Sequence, residues 1–289
     1  MRDDSVAAGS LQLHFLEWGD PAAPGTIVLV HGLGSSAHIW DLVAPSLAAD
    51  FRVIAVDQRG HGLSEQPSSG YDFPTVVDDL RQFLDALDVR EPAVVVGHSW
   101  GASVVLHFAA QHPDLTAGVV LVDGGTSAPG ERWTWAEAEV RLRPPDLDGM
   151  LWPDLLARMT ERNAMYTDPR VADVARSLYT IDTDDRIARR FRIPNHMQVV
   201  RALWEQRPAE LLAGLSCPVL ILPARQSTDA PEMQAPKAAA VARALERQPR
   251  ARARWFDDTV HDIPLQRPGE LAAELHAFAA ELLPTRAAS

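Results

Sequence analysis

The hydrophobic positions of this chain form short, nearly continuous runs, each long enough for one strand. Runs of this kind are typical of strands that are buried on both faces of a sheet. They lie at Thr26–Val30, 51–56, 93–96, 118–122 and 218–222, with a shorter one at 253–256. Leu11–Trp18 alternates between apolar and polar residues instead, which predicts a strand pair or a bent edge strand near the start of the sheet.

Amphipathic stretches separate these runs. Residues 73–88 carry one apolar stripe at helical spacing, formed by Val76, Leu80, Phe83, Leu84 and Leu87. Helices are also predicted over 101–111, over 237–246 and at the C-terminal end. Strands that alternate with helices at this spacing predict an α/β domain with a mostly parallel sheet and helices on both faces.

The alternation stops after Asp123. Residues 126–213 contain no buried-strand run but several amphipathic stretches, which prolines divide into short helices. We predict an inserted helical cap over 126–213 and an α/β core made of 1–125 and 214–289. Four tryptophans of the cap are candidate substrate-binding residues, although each could instead pack the cap onto the core: Trp133, Trp135, Trp152 and Trp204.

A candidate nucleophile follows the apolar run at 93–96. Residues 97–101 read Gly-His-Ser-Trp-Gly, a Gly-x-Ser-x-Gly pattern in the strand-then-helix context that gives this pattern meaning. The turn brings strand, helix and serine close together, so its flanking residues must lack bulk, and Gly97 and Gly101 meet that demand. The pattern predicts that Ser99 lies on a strained turn with its hydroxyl exposed above the sheet.

A serine nucleophile needs a base, and the base needs a third group to orient it. His261, just after the last predicted strand, has the right place in the chain order of nucleophile, acid and histidine. Two backbone N–H groups should hold the developing oxyanion. We expect them to belong to Trp100 and to Leu33, in the turn His31-Gly32-Leu33-Gly34, which His31 is expected to shape.

The chain resembles the α/β-hydrolase fold superfamily over nearly its whole length. Four motifs in the same order carry the resemblance: 31–34, the loop Asp-Gln-Arg-Gly-His-Gly-Leu-Ser at 57–64, the elbow at 97–101, and Val-His-Asp at 260–262. It implies a mostly parallel eight-stranded sheet flanked by helices and a structural role for Arg59 and His61 in the second loop. The elbow is also similar to that of haloalkane dehalogenases and epoxide hydrolases. Those enzymes attack with Asp, however, and Ser99 cannot form their alkyl-enzyme ester, so acyl transfer is favoured.

The triad acid is where the chain departs from the family. Most relatives place it in a Gly-x-x-Asp turn after the strand that is here 218–222, but residues 224–227 read Ala-Arg-Gln-Ser. Asp123 is the preferred candidate because some haloalkane dehalogenases take their acid from that strand end, and neighbouring strand ends meet in one crevice. Asp229 is the alternative acid, and Asp262 is a third choice. A strand-end aspartate such as Asp123 can also simply cap the following loop.

Composition and charge limit the classes of partner. The 289 residues carry a net charge of −12 with no dense basic run, which speaks against nucleic acid. The apolar runs are too short to cross a membrane, and the first residues show no secretory signal, so we expect no membrane partner and a cytoplasmic location. No metal motif, dinucleotide fingerprint or phosphate loop is present, so neither metal nor cofactor is expected. Lys237 is the only lysine, and the sequence assigns it no role.

These features predict a serine hydrolase that cleaves a carboxylic ester or lactone of a small, mainly apolar molecule through an acyl-enzyme. The same triad would also suit a C–C bond hydrolase, an amidase or aminopeptidase, or a hydroxynitrile lyase. A ligand receptor built on the hydrolase fold is the alternative from outside the enzymes. The sequence leaves the substrate and the oligomeric state open.

Overall fold

The computed structural model describes residues 1–228 and 231–285, with the backbone alone for residues 231–233. Its strands are β1 (Arg2–Ala8), β2 (Leu11–Trp18), β3 (Thr26–Val30), β4 (Arg52–Val56), β5 (Ala93–His98), β6 (Thr116–Val122), β7 (Tyr179–Ile181), β8 (Ile187–Arg189), β9 (Val219–Leu222), β10 (Ala224–Arg225), β11 (Ala251–Ala253) and β12 (Phe256–Asp257). Its α-helices are α1 (Ala44–Leu47), α2 (Phe73–Ala86), α3 (Trp100–Gln111), α4 (Trp135–Arg141), α5 (Trp152–Arg162), α6 (Pro169–Ser177), α7 (Ile193–Glu205), α8 (Pro208–Gly214), α9 (Pro231–Arg247), α10 (Ile263–Gln266) and α11 (Pro268–Ala280).

The central sheet has eight strands in the order β1-β2-β4-β3-β5-β6-β9-β11. β1 pairs with β2 and β2 pairs with β4 in antiparallel fashion, whereas every pair from β4 to β11 is parallel. The prediction of an α/β-hydrolase fold with a mostly parallel eight-stranded sheet is therefore confirmed. Its central strands are the apolar runs of the sequence, and β4, β5 and β9 are buried along their whole length.

Helices cover both faces of this sheet. Successive side chains of a strand point to opposite faces, and in β3 Val28 and Val30 join an apolar cluster with residues of α2 and α3. Ile27 and Leu29 join a second cluster, which contains residues of α1 and α11. The continuous apolar runs thus serve two cores at once, which explains why they do not alternate with polar residues.

The carboxyl ends of the parallel strands lie side by side. In the sheet register Val30 at the end of β3 is opposite Gly97, His98 is opposite Val122, and Val122 is opposite Leu222. The residues that follow β3, β5, β6 and β9 therefore leave the sheet at one edge. That edge is where ligands bind in open α/β sheets.

The segment between β6 and β9 contains α4 to α8 and one element that its sequence pattern did not indicate, the antiparallel pair β7–β8. Pro153 and Pro194 lie in the first turns of α5 and α7. A proline is tolerated there because the first N–H groups of a helix have no acceptor within the helix, so the absence of one costs no hydrogen bond. Trp152 and Tyr179 belong to a small apolar cluster of the segment's own. The predicted boundary at 213/214 falls at the end of α8, and the division into core and cap stays a prediction. Within residues 1–228 and 231–285, no helix has both the length and the apolar character that crossing a bilayer requires.

Candidate active site

Ser99 occupies the turn between β5 and α3 with φ 56° and ψ −116°. A serine in such a conformation costs on the order of 1–3 kcal/mol, which the surrounding packing must offset. The two flanking glycines leave no room for a side chain: a Cβ on Gly97 would lie 2.1 Å from the carbonyl oxygen of Gly101, and one on Gly101 would lie 2.3 Å from that of Val30. The backbone N–H of Ser99 donates to Val122 over 2.9 Å, which fixes the turn to the end of β6.

Asp123 follows β6 directly and packs beside this turn. It also has a positive φ, 44°, and its backbone N–H donates to Leu222 over 3.0 Å. A Cβ on the next residue, Gly124, would lie 2.2 Å from the carbonyl oxygen of Ser99, so the two turns touch through their backbones. The carboxylate of Asp123 is 2% exposed and accepts the backbone N–H of Ala224 over 2.8 Å.

His261 lies against Asp123, although 138 residues separate the two in the sequence. Its Nδ1 donates to Oδ2 of Asp123 over 2.7 Å. This bond leaves Nε2 as the nitrogen that can accept a proton, and the side chain is 51% exposed. No hydrogen bond joins Ser99 to His261 among the described residues, and such contacts often tighten only when a substrate binds.

The backbone of His261 is held by the residue next to the serine. Nε2 of His98 donates to the carbonyl oxygen of His261 over 3.0 Å, and the two imidazole rings lie 4.8 Å apart. Burial lowers the pKa of His98 to about 4, so at neutral pH it is an uncharged donor. His98 is a residue of the elbow to which the sequence pattern gave no role, and its position beside the nucleophile was the only available signal.

Asp123 and His261 each stabilise the charged form of the other. Burial alone would raise the pKa of Asp123, but the hydrogen bond and charge of His261, together with Lys237, outweigh it and bring the pKa to about 2. Desolvation lowers the pKa of His261, and the hydrogen bond and charge of Asp123 raise it by more, so that it lies above the ordinary value. The site therefore holds a permanent carboxylate beside an imidazole whose protonated form is stabilised.

Two backbone amides close to Ser99 have no acceptor among the described residues. Neither the N–H of Leu33 nor that of Trp100 donates a hydrogen bond within the part of the chain that the structure describes. The turn that contains Leu33 lies against the nucleophile, because a Cβ on Gly32 would be 3.0 Å from that of Ser99. These are the two amides that the sequence predicts as oxyanion donors, and the structure brings both to the elbow.

Two buried histidines hold the Leu33 turn in place. His31 donates from Nδ1 to the carbonyl oxygen of Gly32 over 2.7 Å and accepts the N–H of Gln58 at Nε2. His61 accepts the N–H of Gly34 over 3.1 Å. Burial lowers the pKa of both histidines, which keeps them neutral and able to accept. In the loop at 57–64, Arg59 forms a salt bridge with Asp79, which is a structural contact.

A cleft with about 620 Å³ of empty space opens beside Ser99 and Asp123. Its walls are largely apolar and include Trp100, Trp133 and Leu203. Arg132 also lines the cleft, and no sequence pattern predicted a role for it.

Of the four tryptophans predicted as substrate-binding residues, three lie together and Trp152 lies apart from them. Trp133 lines the cleft, and Trp204 supports it by donating from Nε1 to the carbonyl oxygen of Trp133 over 2.8 Å. Trp135 packs edge-on against Trp204, with ring centroids 6.0 Å apart. Trp152 is buried in the separate cluster with Tyr179.

Among the described residues, one candidate acid contacts the ring of His261. Asp123 makes that contact, whereas Asp229 lies outside the described residues. The sequence missed a second partner of Asp123: Nζ of Lys237 donates to its carboxylate over 2.8 Å. The one signal in the sequence was that this is the only lysine. Within residues 1–228 and 231–285, no group of three or more His, Cys, Asp or Glu side chains could hold a metal ion.

Comparisons with known proteins bear on the fold. A family model described as alpha/beta hydrolase fold matches residues 25–147. Over 119 residues, 41% of each chain, the protein is 38% identical to the 2-(acetamidomethylene)succinate hydrolase of Mesorhizobium japonicum. Over 97 residues, 34% of each chain, it is 40% identical to a soluble epoxide hydrolase of Corynebacterium sp.. The matched segments thus span less than half the length of either curated relative.

The likeness to a solved structure extends over the whole fold. The crystal structure of E-2-(acetamidomethylene)succinate hydrolase aligns with a TM-score of 0.81 and 24% identity, covering 96% of this chain and 99% of that chain. A likeness at this identity concerns the fold. Together with the family match and the strand order of the sheet, it shows that the chain has the α/β-hydrolase fold.

Proposed function

We propose that the protein is a serine hydrolase that cleaves a carboxylic ester or lactone of a small, mainly apolar molecule. Ser99 is the nucleophile, His261 the base and Asp123 the acid. The observation that carries this proposal is the 2.7 Å hydrogen bond from His261 to Asp123, beside a serine on a strained elbow. It leaves the other imidazole nitrogen free to accept a proton from a serine hydroxyl.

Acylation follows from this arrangement. Oγ of Ser99 attacks the substrate carbonyl carbon as its proton passes to Nε2 of His261. Asp123 stabilises the imidazolium without taking the proton itself. The carbonyl oxygen becomes an oxyanion, which the unpartnered N–H groups of Leu33 and Trp100 bind. When the C–O bond breaks, His261 gives its proton to the leaving alkoxide, and the acyl group stays on Ser99.

Deacylation repeats these steps with water as the nucleophile. His261 takes a proton from water, the hydroxide attacks the acyl-enzyme carbonyl, and the same two amides bind the second oxyanion. His261 then returns the proton to Oγ of Ser99, which releases the carboxylic acid. The 51% exposure of the His261 side chain gives water access to this base.

The nucleophile and the cleft favour acyl transfer over the reactions that need a carboxylate nucleophile. An epoxide hydrolase or haloalkane dehalogenase of this fold attacks with a carboxylate, and a serine hydroxyl cannot form the alkyl-enzyme ester of that reaction. The apolar side chains of Trp133 and Leu203 along the cleft suit an apolar acyl or alcohol group. The proposal therefore assigns ester or lactone cleavage to this chain.

The deciding experiment is intact-mass analysis after treatment with a fluorophosphonate. We expect one adduct on the unchanged protein and none on S99A. Adduct formation would be followed by rates on p-nitrophenyl esters of increasing chain length and on simple lactones. A folded protein that forms no adduct would contradict the proposal, and a ligand that raises the Tm without turnover would favour the receptor function instead.

A further inference from the structure

Lys237 lies in α9 and contacts the same carboxylate, that of Asp123, as His261 does. Its Nζ donates to Oδ1 of Asp123 over 2.8 Å, to Oδ2 over 3.1 Å, and to the carbonyl oxygen of Ala224 over 2.9 Å. The lysine side chain is 42% exposed, whereas the carboxylate is 2% exposed. The cation thus partners a charge that water hardly reaches.

The three contacts match the chemistry of an ammonium group. An ammonium has three N–H donors at one compact charged atom, whereas a guanidinium has five donors in a rigid planar fork. Three acceptors lie within 3.1 Å of this one atom. A chain that uses arginine at every other basic position therefore has its only lysine at the place where a compact donor fits.

We propose that Lys237 is a positioning residue of the triad. It fixes the carboxylate of Asp123, and its positive charge favours the neutral form of His261, which the base requires. The proposal rests on the function assigned to Ser99, His261 and Asp123 above. Lys237 does not contact the reacting atoms, and it acts through the acid.

Three charged groups act on the pKa of His261, and a fourth group, His98, contacts its backbone. Asp123 at the end of β6 and Asp262 at the start of α10 favour its protonated form, while Lys237 in α9 favours its neutral form. His98 in β5 is uncharged at neutral pH and donates to the backbone of His261. Lys237 is thus the one cation among these groups that opposes protonation. Removing its charge should raise the pKa of His261 and confine activity to higher pH.

Three substitutions separate charge from hydrogen bonding. K237Q keeps an N–H donor without the charge, K237M removes both, and K237R keeps the charge in another shape. R243Q is the matched control, because it removes a cation from the same helix whose partner is Glu131 rather than Asp123.

The measurement is the pH profile of kcat/KM for p-nitrophenyl acetate. For K237Q we expect kcat/KM to fall about three- to tenfold at about pH 6 and to stay within about twofold of the unchanged protein at about pH 9. K237M should lose activity over the whole range, K237R should keep the position of the acid limb, and R243Q should match the unchanged protein. A K237Q profile that superimposes on that of the unchanged protein, or an equal shift in R243Q, would overturn the proposal.

A second readout does not depend on catalysis. The ring of His261 can be titrated by NMR in the unchanged protein, K237Q and R243Q, with Tm as the check on folding. We expect the midpoint of His261 to move to higher pH in K237Q alone, and an unmoved midpoint would refute the role of Lys237. Absence of a fluorophosphonate adduct on the unchanged protein would instead refute the proposed function, so the two failures can be told apart.

Discussion

The carboxylate of Asp123 brings together more of the site than any other single group. Its two oxygens accept from His261, from Lys237 and from the backbone of Ala224. Its backbone is in the left-handed region, which aspartate tolerates better than most residues. The neighbouring Gly124 then allows the carbonyl of Ser99 to approach. Asp123 therefore stabilises the protonated form of the base, and Gly124 beside it leaves room for the nucleophile turn.

The first prediction tests this residue against its rival. D123N should lower kcat about 10⁴-fold, because an asparagine amide no longer stabilises the imidazolium or selects the right tautomer. D229N should keep a rate close to that of the unchanged protein. Initial rates on p-nitrophenyl acetate, with the Tm of both variants as the folding check, decide between them. The opposite ranking would assign the acid to Asp229.

A second prediction concerns pH. His261 acts as a base only in its neutral form, and its pKa is raised above the ordinary 6.5. Activity should therefore be lost as the pH falls through a value above 6.5 and should reach a plateau on the alkaline side. The profile of kcat/KM measures this directly. An acid limb centred well below pH 6.5 would show that Asp123 does not stabilise the protonated imidazole.

At the scale of elements, burial on both faces made the central strands easy to predict, whereas β1, β7 and β8 lack that signal. β3, β4, β5, β6 and β9 correspond to the apolar runs because each must fill two cores. β1 begins Arg-Asp-Asp-Ser and is mostly exposed, and its extended form comes from pairing with β2. β7 and β8 are three residues each, too short for any period to show.

The residues of the candidate site likewise differ in how much local signal each has in the sequence. Ser99, Trp100, Leu33 and His261 could be named from motifs, because the local chain around each has a pattern of its own. No local motif identifies the candidate acid, because that choice depends on which strand end contacts His261. Asp123 and His261 are 138 positions apart in the sequence. The contact of Lys237 with Asp123 spans 114 positions and has no local pattern at either end.

The close approach of the two turns gives a third prediction. G124A should lower kcat by at least about tenfold, because the new Cβ would meet the backbone of Ser99 and force the nucleophile turn to move. The control is G214A at the end of α8, where a Cβ meets nothing within 4 Å. It should keep the rate and leave the Tm equal or slightly higher. Equal rates for both variants would show that the contact has no effect on the site.

At the scale of the molecule, the cleft forms where the segment between β6 and β9 lies over the strand ends. Trp133 and Leu203 come from that segment, and Ser99 and Trp100 come from the sheet side. The segment is attached to the rest by side-chain contacts such as the bond from Asn195 to the hydroxyl of Tyr71, 2.9 Å long. This arrangement separates the residues that would select a substrate from those that would cleave it.

The fourth prediction compares two tryptophans of this segment. W133A should lower kcat/KM for longer acyl esters by about tenfold and affect acetate esters less, because an apolar wall of the cleft is lost. W152A should instead lower the free energy of unfolding by about 3–5 kcal/mol, since Trp152 is buried in a separate cluster. Rates across a chain-length series and urea unfolding measure the two effects. Unchanged chain-length selectivity in W133A would contradict its place in the cleft.

The long separation of Asp123 from His261 has a consequence for synthesis. A ribosome adds Ser99 before His261, so a nascent polypeptide holds the proposed nucleophile without its proposed base while the residues between them are added. Until α10 and the residues before it have packed onto the sheet, the serine has the reactivity of an ordinary alcohol. We therefore expect any ester cleavage to begin only after the chain around His261 has folded.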